Sequence, residues 1–432
     1  MPRAEPARPG AALSAARTGQ RLAGFLLTWL ALSCSGALAQ ERWREPLGPE
    51  DDGSAAYDLR AAVSQGDWEA AVRLADTYRG QPHSQFSQMA SFVYAWSGRH
   101  DLVQAMRQEG LIRRTRICDA PPSMARSLIE RIDQDDGDAR IIIIQERHSQ
   151  VRHRLALLAL LAPLRQRGFT HFAAEDFRGD PGKYRTITGA VDGFHSRREP
   201  VFGQVVRSAI ALGYQLSPYE AEFPPPDSVP RSDWEGWRAR EMSHNIKTRI
   251  LDAEPESRVL ILAGEGHGRE AQTPRMAQSG YRPMALVLSE ITGLDPVTID
   301  QTGCERAPAA AVQAPDALFD AVVTDTIERF EPSAYDLQVQ HRVERFERHG
   351  RTSWLWRLGR TPVSVPAQLR RNGEAVVVEA RMAGQPPSAT PLDRLYLAEG
   401  ETLPLMLEPG EYMLTVHKRG RPAVQELAIT VE

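Results

Sequence analysis

Cysteine is scarce in this chain: three residues in 432, at positions 34, 118 and 304, cannot make a disulfide framework. The chain must therefore bury a core, and its length and 42% apolar content allow two or three domains. No stretch concentrates lysine and arginine. With 52 basic against 56 acidic residues and a formal net charge of −4, arginines interleaved with Asp and Glu make a mixed solvated surface rather than a nucleic-acid platform. Beyond residue 40 no apolar run approaches the length that crosses a bilayer.

What is present begins with a targeting segment. Arg3, Arg8, Arg17 and Arg21 precede the apolar run 25–32, and Ala37-Leu38-Ala39 supplies the small residues of a cleavage site. Residues 1–39 read as a cleavable signal peptide with cleavage near Gln40, so the mature chain is expected in the periplasm or outside the cell. Alternatively, Ala31-Leu32-Ser33-Cys34 is a lipoprotein box that anchors the protein through Cys34. Export places Cys118 and Cys304 in an oxidising compartment, where one disulfide or two separate buried thiols would both fit.

Residues 55–118 read as a helical cap. Gly66-Asp67-Trp68 and Gly98-Arg99-His100 lie about 33 residues apart, the period of stacked helical repeats. Residues 138–330 have a different grammar. Ile141-Ile142-Ile143-Ile144 is a run suited to a parallel strand buried on both faces, and it ends in Gln145-Glu146-Arg147-His148. A helix with Arg154, Leu155, Leu158, Leu161 and Leu164 on one period follows, stopped by Gly168, and then comes a strand at 172–174 ending in Glu175-Asp176. Strand, helix and strand at this spacing form a right-handed crossover that sets the two strands parallel.

The pattern recurs. Residues 214–216 run to Tyr219-Glu220, and residues 259–263 run to Gly264-Glu265-Gly266-His267. Further strands are predicted at 285–288 and at 321–324, the latter ending in Asp325, and a helix is predicted over 335–349. Trp354 and Trp356 read as packing anchors between domains. Residues 362–432 alternate apolar and polar residues between Gly and Pro turns, as in a small antiparallel sandwich. The expected architecture is thus α/β: a mostly parallel central sheet with flanking helices, a helical cap before it and a β-sandwich after it.

Four strands ending in an acid or a histidine put Glu146, His148, Glu175, Glu220 and His267 at one carboxyl edge, where open α/β sheets bind ligands. The plainer reading is that these are solvated loop residues, or that Glu175 and Glu220 cap the helices that follow. Arg238 and Asn245 are two helical turns apart and share a face, from which they bind substrate or brace the acids. His195 and Arg198 fall in a loop near the same edge.

These motifs resemble a known superfamily. Gln145-Glu146-Arg147-His148 is similar to the Gly-Glu-x-His segment of the ChaN-like iron-regulated lipoproteins and to the Gly-Glu-x-x-His of the erythromycin esterases. Ala174-Glu175, Arg198-Glu199-Pro200, Tyr219-Glu220, the Arg238 to Asn245 helix and Gly264-Glu265-Gly266-His267 follow in matching order across about residues 138–325. Gln145 stands where the family has Gly, Ala239 where it has an acid, and the Glu-to-His spacing is that of the lipoprotein branch. The resemblance implies a hydrolase of an ester or amide bond in a small molecule. Glu146, His148, Glu175 and His267 would be catalytic; Arg198, Glu220, Arg238 and Asn245 would bind substrate. The cofactor stays open between none, a divalent metal held by the histidines and carboxylates, and haem. The alternatives are a haem- or iron-binding envelope protein and a non-enzymatic envelope interaction protein.

Overall fold

The computed structural model describes residues 54–80, 84–118, 127–175, 177, 199–306, 321–324, 334–370, 373–387, 389–418 and 421–432. The signal peptide, Cys34, His195, Arg198 and Asp325 lie outside the described residues.

The chain starts with a cap of helices α1 (Ser54–Gln65), α2 (Trp68–Tyr78), α3 (Ser84–Trp96) and α4 (His100–Gln108). Asp67 caps α2 by accepting from the Ala70 amide, and Trp68, Ala71, Val72 and Ala75 recur at helical spacing on its buried face. Strand β1 (Arg116–Cys118) then leads to α5 (Leu128–Asp136), which opens on a reciprocal Ser127–Glu130 capping box.

The central layer alternates β2 (Ile141–Glu146), α6 (His153–Gln166), β3 (His171–Ala174), α7 (Pro200–Ala211), β4 (Gln215–Pro218), α8 (Trp234–Ile246) and β5 (Val259–Gly264). Helices α9 (Pro274–Ser279) and α10 (Met284–Thr292) precede β6 (Val297–Asp300), β7 (Cys304–Arg306), β8 (Ala321–Thr324) and β9 (Leu337–His341). A seven-stranded sheet has the order β4-β3-β5-β2-β6-β9-β8, parallel throughout except for the β8–β9 pair. β2 sits at its centre. Ile142 and Ile144 pack with the cap, α6 and α7, while Ile141 and Ile143 pack with α8 and α10. Side chains alternate along a strand, so a strand covered on both faces needs apolar residues at successive positions, and Ile141 to Ile144 supply them before the polar end Gln145-Glu146.

After an irregular stretch the chain forms β10 (Thr361–Val363), β11 (Val376–Met382), β12 (Asp393–Leu397), β13 (Leu405–Leu407), β14 (Gly410–Lys418) and β15 (Arg421–Val431). β12-β11-β14-β15 is an antiparallel sheet and β10–β13 a separate antiparallel pair. The mixed α/β architecture expected above, with its mostly parallel sheet and its carboxy-terminal antiparallel sheet, is the one observed.

Three local expectations are corrected. Residues 285–288 belong to helix α10, not to a strand: Pro283 sets its start and Gly293, with φ of 67°, its end. The strand of this region is β6, whose Thr298 and Asp300 broke the apolar run that would have marked it. Residues 335–349 are not a helix. Leu337, Gln338, Val339, Gln340 and His341 alternate with period two and form a fully buried strand. Trp354 is a packing anchor, with its ring 5.3 Å from that of His100 in the cap, but Trp356 is 44% exposed. Among the described residues no helix is long and apolar enough to cross a membrane.

Candidate functional site

At the carboxyl end of β2 the strand's alternation sends Gln145 and Glu146 to opposite faces. Gln145 is a latch: its amide donates to Asp300 (2.6 Å) and to the Tyr335 hydroxyl (3.0 Å), and its carbonyl accepts from the Gly266 amide (2.9 Å). Glu146 is the hinge of the site. It accepts from Nε and Nη2 of Arg154 (2.9 and 2.7 Å) and from Nδ1 of His148 (2.9 Å). Burial alone would raise the Glu146 carboxyl, but the Arg154 guanidinium and His148 more than reverse this and hold it at about 2. An ionised carboxylate only accepts, so His148 carries its proton on Nδ1. Nε2 is then the basic nitrogen, and it stands 3.9 Å from Glu175 Oε2.

Arg154, in the first turn of α6, is wholly buried and also bonds Glu199. Glu199 caps α7 by accepting from the Val201 and Phe202 amides (2.8 and 2.7 Å). One half of the site is therefore a relay from a helix amino terminus to the imidazole, through Glu199, Arg154 and Glu146.

The other half is built on β3, β4, β5 and α8. Glu175 accepts from the Gly264 amide (2.7 Å) and from Arg238, which also forks onto Glu220 (2.9 and 2.6 Å). Burial pushes Glu175 up, yet Arg238, His267 and His148 bring it well below the usual carboxylate range. Arg238 Nη1 lies 3.3 Å from His267 Nε2. A guanidinium only donates, so that nitrogen accepts and the proton sits on Nδ1, which is buried and makes no hydrogen bond. Burial depresses the His267 imidazole, Arg238 adds to this, and Glu175 and Glu220 oppose it. Asn245, two turns from Arg238, donates to the Tyr219 and Glu220 carbonyls (3.1 and 3.3 Å) and pins the end of β4.

The halves meet at Gly264, which pairs with Glu146 across β5 and β2. A Cβ there would lie 2.7 Å from Glu175 Oε2 and 3.2 Å from His148 Nε2, so only glycine lets them approach. His148 is the accessible member, its side chain 28% exposed against 1% for Glu146. The Phe92 ring of α3 stands edge-on to it at 5.8 Å, so the cap supplies a wall of the site.

The structure thus brings together Glu146, His148, Glu175, Glu220, Arg238, Asn245 and His267. Sequence reading missed Arg154 and Glu199 as site residues. Their signals were present: an arginine in register with the leucines of a buried helix face, and an acid directly before Pro200 at a helix start. Among the described residues no group of three or more His, Cys, Asp or Glu is placed to hold a metal ion. The carboxylates are turned onto guanidinium groups, and His267 presents one nitrogen to Arg238 and buries the other. The donor set does not fit a resident metal or a bis-histidine haem.

The fold and site define an α/β protein with a carboxylate, imidazole and guanidinium cluster on the carboxyl edge of its sheet. No family model matches the chain, and no curated protein matches it. Among solved structures, one described as bacterial protein toxins is 13% identical, matching 57% of this chain to 54% of that one with a TM-score of 0.30. The type III effector HopBA1 is 13% identical over 52% of this chain and 97% of its own, with a TM-score of 0.32. RRSP, a MARTX toxin effector domain from Vibrio vulnificus, is 14% identical over 50% of each chain, with a TM-score of 0.24. The chain spans about half the length of the first of these. At these scores the likeness carries no argument about function.

Proposed function

We propose that this protein is an exported hydrolase of an ester or amide bond in a small molecule, with His148 as general base. The observation that carries the reading is the 2.9 Å bond from His148 Nδ1 to a buried, ionised Glu146. It fixes the tautomer and stabilises the imidazolium that forms when Nε2 takes a proton from attacking water. Glu175 faces the same nitrogen at 3.9 Å, close enough for one water to bond both groups. Water's oxygen bonds to the carbonyl carbon, the proton passes to Nε2, and it leaves on the departing alcohol or amine as the acyl bond breaks. Glu220, Arg238 and Asn245 position Glu175 and His267. The motif order shared with the erythromycin esterases and ChaN-like lipoproteins supports this reading. The disulfide between Cys118 and Cys304 supports export to an oxidising compartment.

The test is turnover of an ester and amide panel by the mature chain from about pH 5 to about pH 9, across the imidazole range. His148→Ala is expected to lower kcat by about 100-fold or more with unchanged circular dichroism. Absence of turnover across the panel, or a fully active His148→Ala protein, overturns the proposal.

A further inference from the structure

Outside His148 the cap and the sheet edge enclose a cavity of about 590 Å³. Arg107, Arg113, Arg114 and Arg147 line it, with Glu265 as its acid. Phe92, Leu111 and Ile112 form its apolar part, and Gln88, Ser91 and Ser149 add uncharged polar groups. Phe92 is the residue whose ring meets His148, and Arg147 and Ser149, also in the lining, flank His148 in the chain.

Among the described residues the charges lining this cavity do not balance. Arg147 and Arg113 both bond Glu265, at 2.9–3.0 Å, so one carboxylate serves two guanidinium groups. Arg114 closes the end of α4 by donating to the Arg107 and Gln108 carbonyls (3.0 and 2.6 Å), and among the described residues it pairs with no acid. Nε and Nη2 of Arg107 are buried and make no hydrogen bond among the described residues. The carboxylates whose charge acts on Arg107 hydrogen-bond other groups: Glu305 bonds Arg152 and Gln150, and Glu344 the Trp354 indole. Burial lowers the Arg107 guanidinium to about 10; Glu344 and Glu305 oppose this, and Arg152 and Arg147 add to it.

We propose that this cavity binds the oxyanion end of an organic phosphate or carboxylate, its apolar body lying on Phe92, Leu111 and Ile112 and its scissile bond reaching His148. That the ligand is a substrate rests on the hydrolase reading above; that the cavity takes an anion does not. An oxyanion here brings negative charge to the excess guanidinium groups of the lining, and planar guanidinium groups suit both head groups.

Calorimetric titration of the disulfide-bonded mature chain at low salt with phenyl phosphate, benzoate and neutral benzamide tests the proposal. One or both anions are expected to bind saturably and benzamide not, the tighter anion assigning the head group. Arg107→Gln is expected to weaken that binding by about tenfold or more. Glu265→Gln, which releases Arg113 and Arg147, is expected to tighten it, a sign that a damaged fold does not produce. Anion binding without turnover on any panel sinks the hydrolase reading and leaves this inference standing. The inference is overturned if neither anion binds, if benzamide binds equally, or if Arg107→Gln and Glu265→Gln move affinity in the same direction.

Discussion

At position 154 a guanidinium interrupts a helix face of leucines, and the candidate site depends on it. Arg154 keeps Glu146 ionised in a place where burial alone would protonate it, and an ionised Glu146 fixes the His148 tautomer. Glu270 is the opposite case. Burial pushes its carboxyl up, and the Asp336 and Asp295 carboxylates add to this against a Thr298 hydrogen bond, bringing it from 4.5 to about 8. The unfolded chain releases this proton near 4.5 and the folded chain only near 8, so stability falls as pH rises through that window. Glu270→Gln mimics the protonated form. It is expected to raise Tm by a few degrees at about pH 8 and by about 1 degree or less at about pH 5, by calorimetry; an equal shift at both pH values would show that the carboxyl is ionised throughout. Residue types at the site were legible because strand ends expose polar groups in a fixed order. Which acid meets which arginine was not, since Glu175 and Arg238 are distant in sequence and meet only through the sheet.

Among the elements, the short parallel pair β1–β7 has an effect larger than its size. Arg116 to Cys118 pairs with Cys304 to Arg306, and the Cys118–Cys304 disulfide locks the pair across a separation of 186 residues. This holds the segment before β1 against the sheet edge, where the Thr115 hydroxyl accepts from Arg147 (3.2 Å) and Gln150 (3.1 Å). Cys118→Ser with Cys304→Ser is expected to cost about 2–5 kcal/mol of stability. It is also expected to weaken anion binding in the cavity, measured by the same titration, because the Arg113 and Arg114 wall is no longer tethered. The elements misread from sequence share one cause. In 285–288 an apolar run of four has no readable period, and in 335–349 high charge hid a five-residue alternation at Leu337–His341.

For the whole molecule, the cap is not an appendage. Val377 and Met406 of the carboxy-terminal strands share one core with the cap helices and the central sheet. Arg394 of β12 lies over the Trp68 ring at 3.6 Å, donates to the Trp96 carbonyl at 3.1 Å and pairs with the buried Glu379. At Gly98, where φ is 71°, a Cβ would come within 2.5 Å of the Arg394 carbonyl oxygen. Gly98→Ala is accordingly expected to destabilise by about 2 kcal/mol or more, and to lower a single calorimetric transition rather than split it; an early separate melt of either part would contradict a shared core. What the sequence determined by itself was local and periodic: a buried strand of four isoleucines, helices stopped by Gly168 and Gly213, acids and histidines following the strands, and alternation near the carboxyl terminus. Short-range sterics and the burial pattern of single elements dictate these features. Only the tertiary structure decided that Arg154 and Arg238 neutralise the acids, that Cys118 meets Cys304, and that three arginines of the cap segment join Arg147 around a cavity beside His148. Arg154 to Glu199, Arg238 to Glu175, Cys118 to Cys304 and Arg113 to Glu265 all join segments more than 40 residues apart, which no local pattern encodes.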